Sequence, residues 1–281
     1  MTIAIGFLCL DGVVLASDRQ ITGDNRYTFP ERKYSTFAWQ NGCGVVVYAG
    51  SRDAHTAFDK TLDALLPADL SVDAKEAQER FGAALKSLPK KEIFSAIFGF
   101  WVTAQQRPSL LLGSTDGRGN SRVTESYDCE VIGWGDSSLS RYILGNITSV
   151  DGRRTVAKAK IYCVRIISAA SVYEAQYVGG GIDVLSVSHC EDLGRIGITV
   201  LDAGPAKAWE EEINLFDYWS NALFTWIIDR DRALNVDQFM EAIDRFRKWA
   251  IAALQSNPEY PKPDASSQRP SQESLGESDE S

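Results

Sequence analysis

Thr2-Ile3-Ala4-Ile5-Gly6-Phe7-Leu8-Cys9-Leu10-Asp11-Gly12-Val13-Val14-Leu15-Ala16-Ser17-Asp18-Arg19 decides the fold. Ile3, Ile5 and Phe7 alternate with smaller residues, Asp11-Gly12 is a turn signal, and Val13 to Ser17 resumes an apolar run. The stretch therefore predicts a β-hairpin. A further apolar run, Gly44-Val45-Val46-Val47-Tyr48-Ala49-Gly50, meets Ser51-Arg52-Asp53. It reads as a strand entering a helix, with Ser51 or Asp53 as the cap.

Working outward, Ala54, Phe58, Leu62 and Leu65 form one stripe of a helix over about 53–66, and a second helix follows near 73–87. Strand patterns return at 94–102, 109–113, 121–127 and 130–133, with Gly117, Gly119 and Asn120 marking a hairpin loop. Helical patterns cover 137–144 and about 154–175. Gly179-Gly180-Gly181 then turns the chain into strands 182–188 and 196–201. Strand runs grouped apart from helix pairs predict an α+β fold of antiparallel sheets with helices on their outer faces. Helices over 206–229 and 236–254 carry aromatic stripes, Trp209 and Trp226 among them, that read as packing surfaces. From Asn257 the chain holds four of its nine Pro and six acidic residues against two basic, the composition of a disordered tail. The expected organisation is a body over 1–204, a helical extension over 205–256 and a tail over 257–281.

Charge and composition narrow the function. With 38 Asp+Glu against 29 Lys+Arg and a net charge of −9, no broad nucleic-acid-binding or anionic-membrane-binding face is expected. No run reaches the roughly 18–20 apolar residues of a membrane span. The start Met1-Thr2-Ile3-Ala4-Ile5-Gly6 lacks a secretory signal's basic opening, which points to the cytoplasm. The five Cys are scattered and read as buried reduced thiols. Two His, His55 and His189, exclude a three-His zinc site and read as structural or surface residues. No metal or cofactor is expected. Gly179-Gly180-Gly181 is not followed by the Lys-Ser/Thr of a phosphate loop.

Thr2 is the candidate nucleophile. Removal of Met1 would leave a hydroxyl and a free α-amine on one residue, a nucleophile–base pair that needs no histidine. An α-amine with a pKa of about 7.7–8.0 is partly neutral near pH 7. The hairpin turn sets what stands beside it. A two-residue loop at Asp11-Gly12 would pair Thr2 with Ile21 and put Asp18 on the opposite face. A three-residue loop Leu10-Asp11-Gly12, with Gly12 left-handed, pairs Thr2 with Gln20 and brings Asp18 onto Thr2's face. Lys33 can then bridge Asp18 to the hydroxyl, and Gly50 can offer a backbone N–H to an oxyanion.

These residues carry a resemblance. Thr2-Ile3-Ala4-Ile5-Gly6, Asp11 to Arg19, Arg32-Lys33 and Tyr48-Ala49-Gly50-Ser51-Arg52-Asp53-Ala54 resemble the opening of a proteasome β-type subunit. They are also similar to the bacterial two-component protease subunit of that family. The resemblance implies a four-layer αββα N-terminal-nucleophile hydrolase fold and threonine-type peptidase chemistry. It further implies a homo-oligomeric ring, a peptide or unfolded-protein substrate, and an ATPase or other unfoldase as partner. It makes Thr2 nucleophile and base, Asp18 and Lys33 its activating pair, and Gly50 the oxyanion donor. By the same resemblance Ile21 and Thr22 would line the bound peptide backbone and its side-chain pocket, and Tyr48 and Arg52 are the pocket walls in which a small-metabolite amidase would differ. The sequence departs from the family at Gly133-Trp134-Gly135, where a serine would contact the amine. It departs again at Ala175 and Val178, with Glu174 the nearest acid. A catalytically inactive structural subunit and an amidase for a small metabolite are the alternatives.

Overall fold

The computed structural model describes residues 2–22, 28–105, 107–133, 154–173, 178–190, 195–201, 206–214, 218 and 236–255. Among the described residues twelve strands form two five-stranded antiparallel sheets and one small hairpin. The first sheet has the order β10 (Cys129–Gly133), β1 (Ile3–Leu8), β2 (Gly12–Asp18), β11 (Ile182–Cys190), β12 (Arg195–Leu201). The second runs β5 (Tyr34–Trp39), β6 (Gly42–Ala49), β7 (Ile93–Val102), β8 (Ser109–Asp116), β9 (Ser121–Ser126). Between them in sequence, β3 (Gln20–Thr22) pairs with β4 (Thr28–Pro30).

Alternation assigns each side chain to a layer. Val45 and Val47 join Ala4, Val13, Leu15, Ile97, Leu110, Leu185 and Val187 in the core between the sheets. Val46 and Tyr48 face the other way, toward α1 (Arg52–Leu65) and α2 (Ala74–Lys86). There Phe58, Phe81, Phe94, Phe98 and Phe100 pack ring against ring, Phe98 and Phe100 with centroids 4.8 Å apart. Each such buried ring contributes about 1.5–3 kcal/mol. Ile3, Ile5, Phe7, Val14 and Ala16 turn outward from the first sheet onto α3 (Val156–Tyr173). The molecule is thus helix, sheet, sheet, helix: a four-layer αββα sandwich. Ser51 caps α1, accepting the Ala54 N–H at 3.1 Å, and Asp73 with Glu76 forms a reciprocal capping box on α2.

Residues 206–214 form a helix, α4, whose Trp209 and Ile213 join the α3 side of the core. Arg245 on α5 (Val236–Gln255) donates to Glu212 of α4. The remainder of the helix expected over 206–229, the helical pattern at 137–144 and the tail lie outside the described residues. Among the described residues no helix is long and apolar enough to cross a membrane.

The β1–β2 hairpin corrects both expected turns. Leu8 pairs with Val13 and Cys9 N–H donates to the Gly12 carbonyl, so the loop is Leu10-Asp11, one residue earlier than a turn at Asp11-Gly12. Asp11 is used elsewhere: its Oδ1 accepts the Val156 N–H at 2.8 Å, holding the first turn of α3. Gly12 is not left-handed. Its role is close approach, because a Cβ there would stand 2.5 Å from the Val187 carbonyl oxygen and 2.6 Å from Val156 Cγ2. The backbone oxygen cannot step aside, so Gly12→Ala overpacks the junction of β2, β11 and α3. It is expected to lose about 1–3 kcal/mol of stability, read as a lower urea midpoint with an unchanged slope.

Candidate active site

The site is assembled at one end of the sandwich from β1, β2, the residue before β5, and the β6–α1 junction. Thr2 enters β1 and is 7% exposed. Gly133, its neighbour on β10, has φ +78°, and a Cβ there would lie 2.1 Å from the Thr2 carbonyl oxygen. Only glycine lets β10 close against the start of β1, so Gly133 seats Thr2.

Asp18, at the end of β2, is fully buried. Its Oδ1 accepts the Ile3 N–H at 2.9 Å and Lys33 Nζ at 2.9 Å. Its Oδ2 accepts the N–H of Gln20 at 3.1 Å and of Gly179 at 3.3 Å. Lys33, 5% exposed, also donates to the Gln20 carbonyl, and its own carbonyl accepts the Tyr48 N–H. Burial raises the pKa of Asp18 from the usual carboxylate value, while the Lys33 charge and the donors pull against it. Burial likewise lowers Lys33, opposed by Asp18. A lysine so placed holds its proton less tightly than one in water.

The register changes how Asp18 comes to Thr2. The last ladder pair is Ala4 with Ser17, and the next step sets Ile3 opposite Asp18 and Thr2 opposite Arg19. Thr2 therefore does not pair with Gln20, and Asp18 does not share its face along the strand. The carboxylate meets the cluster at the strand end instead, through the Ile3 N–H and through Lys33.

A cavity of about 440 Å³ opens beside this cluster. Thr2, Lys33, Gly50, Ile21, Tyr48 and Arg52 all line it, so six of the eight residues singled out in the sequence converge on one space. Asp18 lies behind Lys33. Thr22 ends β3 opposite Thr28, and its side chain is outside the described residues, as are Trp134, Glu174 and Ala175. Gly50 packs on Phe94, where a Cβ would come within 2.7 Å of the ring. Tyr48 presents its ring and not its hydroxyl. The hydroxyl bonds to Ser35 and, at 3.1 Å, to Asp59, and burial pushes the phenol far above its normal pKa.

The sequence reading passed over part of this wall. His55, expected to be structural, also lines the cavity. Its ring lies 3.7 Å from that of Tyr48, and its Nε2 is 2.9 Å from Asp59 Oδ2. Asp59 thus gathers Ser35, Tyr48 and His55 on one carboxylate oxygen. The available signal was the i,i+4 spacing of His55 and Asp59 on α1. Glu31 holds Arg52 at 3.1 Å. Among the described residues no group of three or more His, Cys, Asp or Glu comes together as metal ligands.

No family model matches the chain, and no curated protein matches it significantly in sequence. Similar solved structures exist. A Gly-1 mutant of Anbu from Hyphomicrobium sp. strain MC1 has a TM-score of 0.63 at 17% identity, covering 83% of this chain and 100% of that one. Anbu from Yersinia bercovieri, described as an ancestral beta-subunit, gives 0.59 at 15% over 83% and 99%. A helical assembly of the Anbu complex from Pseudomonas aeruginosa gives 0.56 at 17% over 83% and 98%. At such identities the likeness establishes the shared fold. It also corrects the family expectation: the similar structures are Anbu proteins, and with no matching family model this chain is not placed among proteasome β-type subunits or bacterial two-component subunits.

Lys33→Met would leave the Asp18 carboxylate buried without its cation. It is expected to destabilise the protein by about 3–5 kcal/mol at pH 7. Without Lys33, burial holds the folded carboxyl further above the unfolded value of 3.8, so the folded state takes up a proton first as pH falls. The variant is therefore expected to recover stability relative to wild type between pH 7 and pH 4, measured by urea denaturation across that range.

Proposed function

We propose that this chain is an N-terminal-nucleophile hydrolase of the threonine type, acting on amide bonds of peptides after Met1 is removed. The observation that carries the reading is the convergence of Thr2, Lys33 and Gly50 on one cavity from three separate elements, with Lys33 fixed by a buried carboxylate. Thr2 Oγ attacks the carbonyl carbon and its proton passes to the α-amine, directly or through water. The Lys33 charge lowers the hydroxyl's proton affinity. The tetrahedral oxyanion is received by the Gly50 N–H. Collapse expels the amine of the cleaved peptide, which takes the proton from the α-amine, and leaves an ester on Thr2. Water then hydrolyses the ester and regenerates the hydroxyl. Ile21 and Thr22 accompany the extended peptide on one side, and Tyr48 and Arg52 bound its side chain on the other.

Assembly of copies, as a ring, accompanies this reading; the helical assembly described for the Pseudomonas aeruginosa Anbu complex supports association of copies and not closure of a ring. An unfolded protein delivered by an ATPase is the natural substrate of an enclosed chamber, and the cytoplasm its setting. A catalytically silent subunit of the same architecture is the competing reading, favoured by Trp134 between Gly133 and Gly135, which places no hydroxyl at the position after β10.

The two readings separate on the mature N-terminus. Intact mass is expected to show loss of Met1. Peptide hydrolysis is expected to rise with pH through about 7–8 as the α-amine deprotonates. Thr2→Ala is expected to lower the rate by ~10³-fold or more. Retained Met1, or undiminished hydrolysis by Thr2→Ala, overturns the proposal.

A further inference from the structure

The charges around the candidate cavity are arranged by sign. Three cationic or protonatable groups line it: Lys33, Arg52 and His55. Each is tethered by a carboxylate outside the lining, Asp18 at 2.9 Å, Glu31 at 3.1 Å and Asp59 at 2.9 Å. The partner acids are absent from the lining, so the cavity wall carries the basic member of each pair. Among the described residues the one acid in the lining, Asp53, sits in the first turn of α1, where the free N–H groups of a helix start favour a carboxylate. Arg52 is the exposed member, its side chain 68% exposed and its bond to Glu31 a single surface pair. Such a pair is worth about 0–1 kcal/mol, so it exchanges readily for a ligand carboxylate.

Resting on the hydrolase reading above, we infer that the site selects an acidic side chain, Asp or Glu, on the residue whose carbonyl is attacked. A carboxylate entering past Arg52 toward His55 meets the guanidinium and the imidazole, with Asp53 the acid it must pass. An ammonium there meets the cationic side chains of Lys33 and Arg52. The ring faces of Tyr48 and Phe94 and the side chain of Ile21 accommodate the methylene stem.

The test uses three peptidyl vinyl sulfones that differ only in the residue next to the warhead: Asp, its neutral isostere Asn, and Lys. The rate of adduct formation on Thr2 is followed by intact mass on the Met1-free protein. The Asp probe is expected to react about tenfold faster than the Asn probe, with Lys the slowest, and 0.5 M salt is expected to narrow the gap by screening. Arg52→Glu, at an exposed position, is expected to bring the Lys probe above the Asp probe. Equal rates for Asp and Asn, a Lys probe that reacts fastest on the wild type, or an order unchanged by Arg52→Glu each overturns the inference and leaves the hydrolase reading standing. No adduct with any probe removes the hydrolase reading and this inference together.

Discussion

The carboxylate of Asp18 is the point on which the site depends. A fully buried acid must be fully hydrogen-bonded, and this one accepts from four donors supplied by four stretches of chain. Ile3 fixes the entry of β1, Gln20 the exit of β2, Gly179 the approach to β11, and Lys33 the cavity wall. None of these can shift without leaving a buried polar group unpaired. Burial moves Asp18 and Lys33 toward their neutral forms, so the pair is a costly feature in a core that could have been apolar. What the pair does is hold the Lys33 side chain in the wall of the cavity that Thr2 also lines.

The rest of the sandwich serves that constraint. The small residues on the facing surfaces, Ala4, Gly6 and Gly99, let two sheets approach closely. A Cβ at Gly99 would strike Leu15 at 2.5 Å, and one at Gly6 would strike Ile97 at 2.7 Å. Close stacking brings Gly50 and Lys33, from the second sheet's side, against Thr2 in the first. The aromatic layer beneath α1 and α2 then fixes α1, and through it His55 and Asp59, behind Tyr48.

Much of this was legible in the chain. The period-2 alternation of Ile3, Ile5 and Phe7 and the stripe of Ala54, Phe58 and Leu62 are local patterns driven by burial, and they gave the first hairpin and α1. The grouping of strand runs gave antiparallel sheets with helices on their outer faces, and the family resemblance gave their stacking into four layers. The β3–β4 hairpin was missed because its strands are only three residues long, too short for a period to register. The turn was misplaced for a different reason. Asp11-Gly12 has turn composition, but Asp11 is drawn to the N-terminus of α3, 145 residues away, and Gly12 is there because β11 and α3 press on it. Gly133 and Gly179 were likewise visible as residues but not as the seat of Thr2 and a donor to Asp18, since both roles come from long-range contacts. Lys33 and Arg52 were named from the sequence, but Glu31 comes beside Arg52 only once the chain folds, and the i,i+4 spacing of His55 and Asp59 does not say that His55 faces a cavity.

Gly179 lies 161 residues after the carboxylate it helps to hold. A ribosome must therefore extrude most of the polypeptide before that acid receives its last ligand, and until then the ammonium has no fixed place next to the alcohol. Completion of the cavity wall is thereby deferred by topology: a chain still being made carries the acid but not yet the full set of N–H groups that holds it.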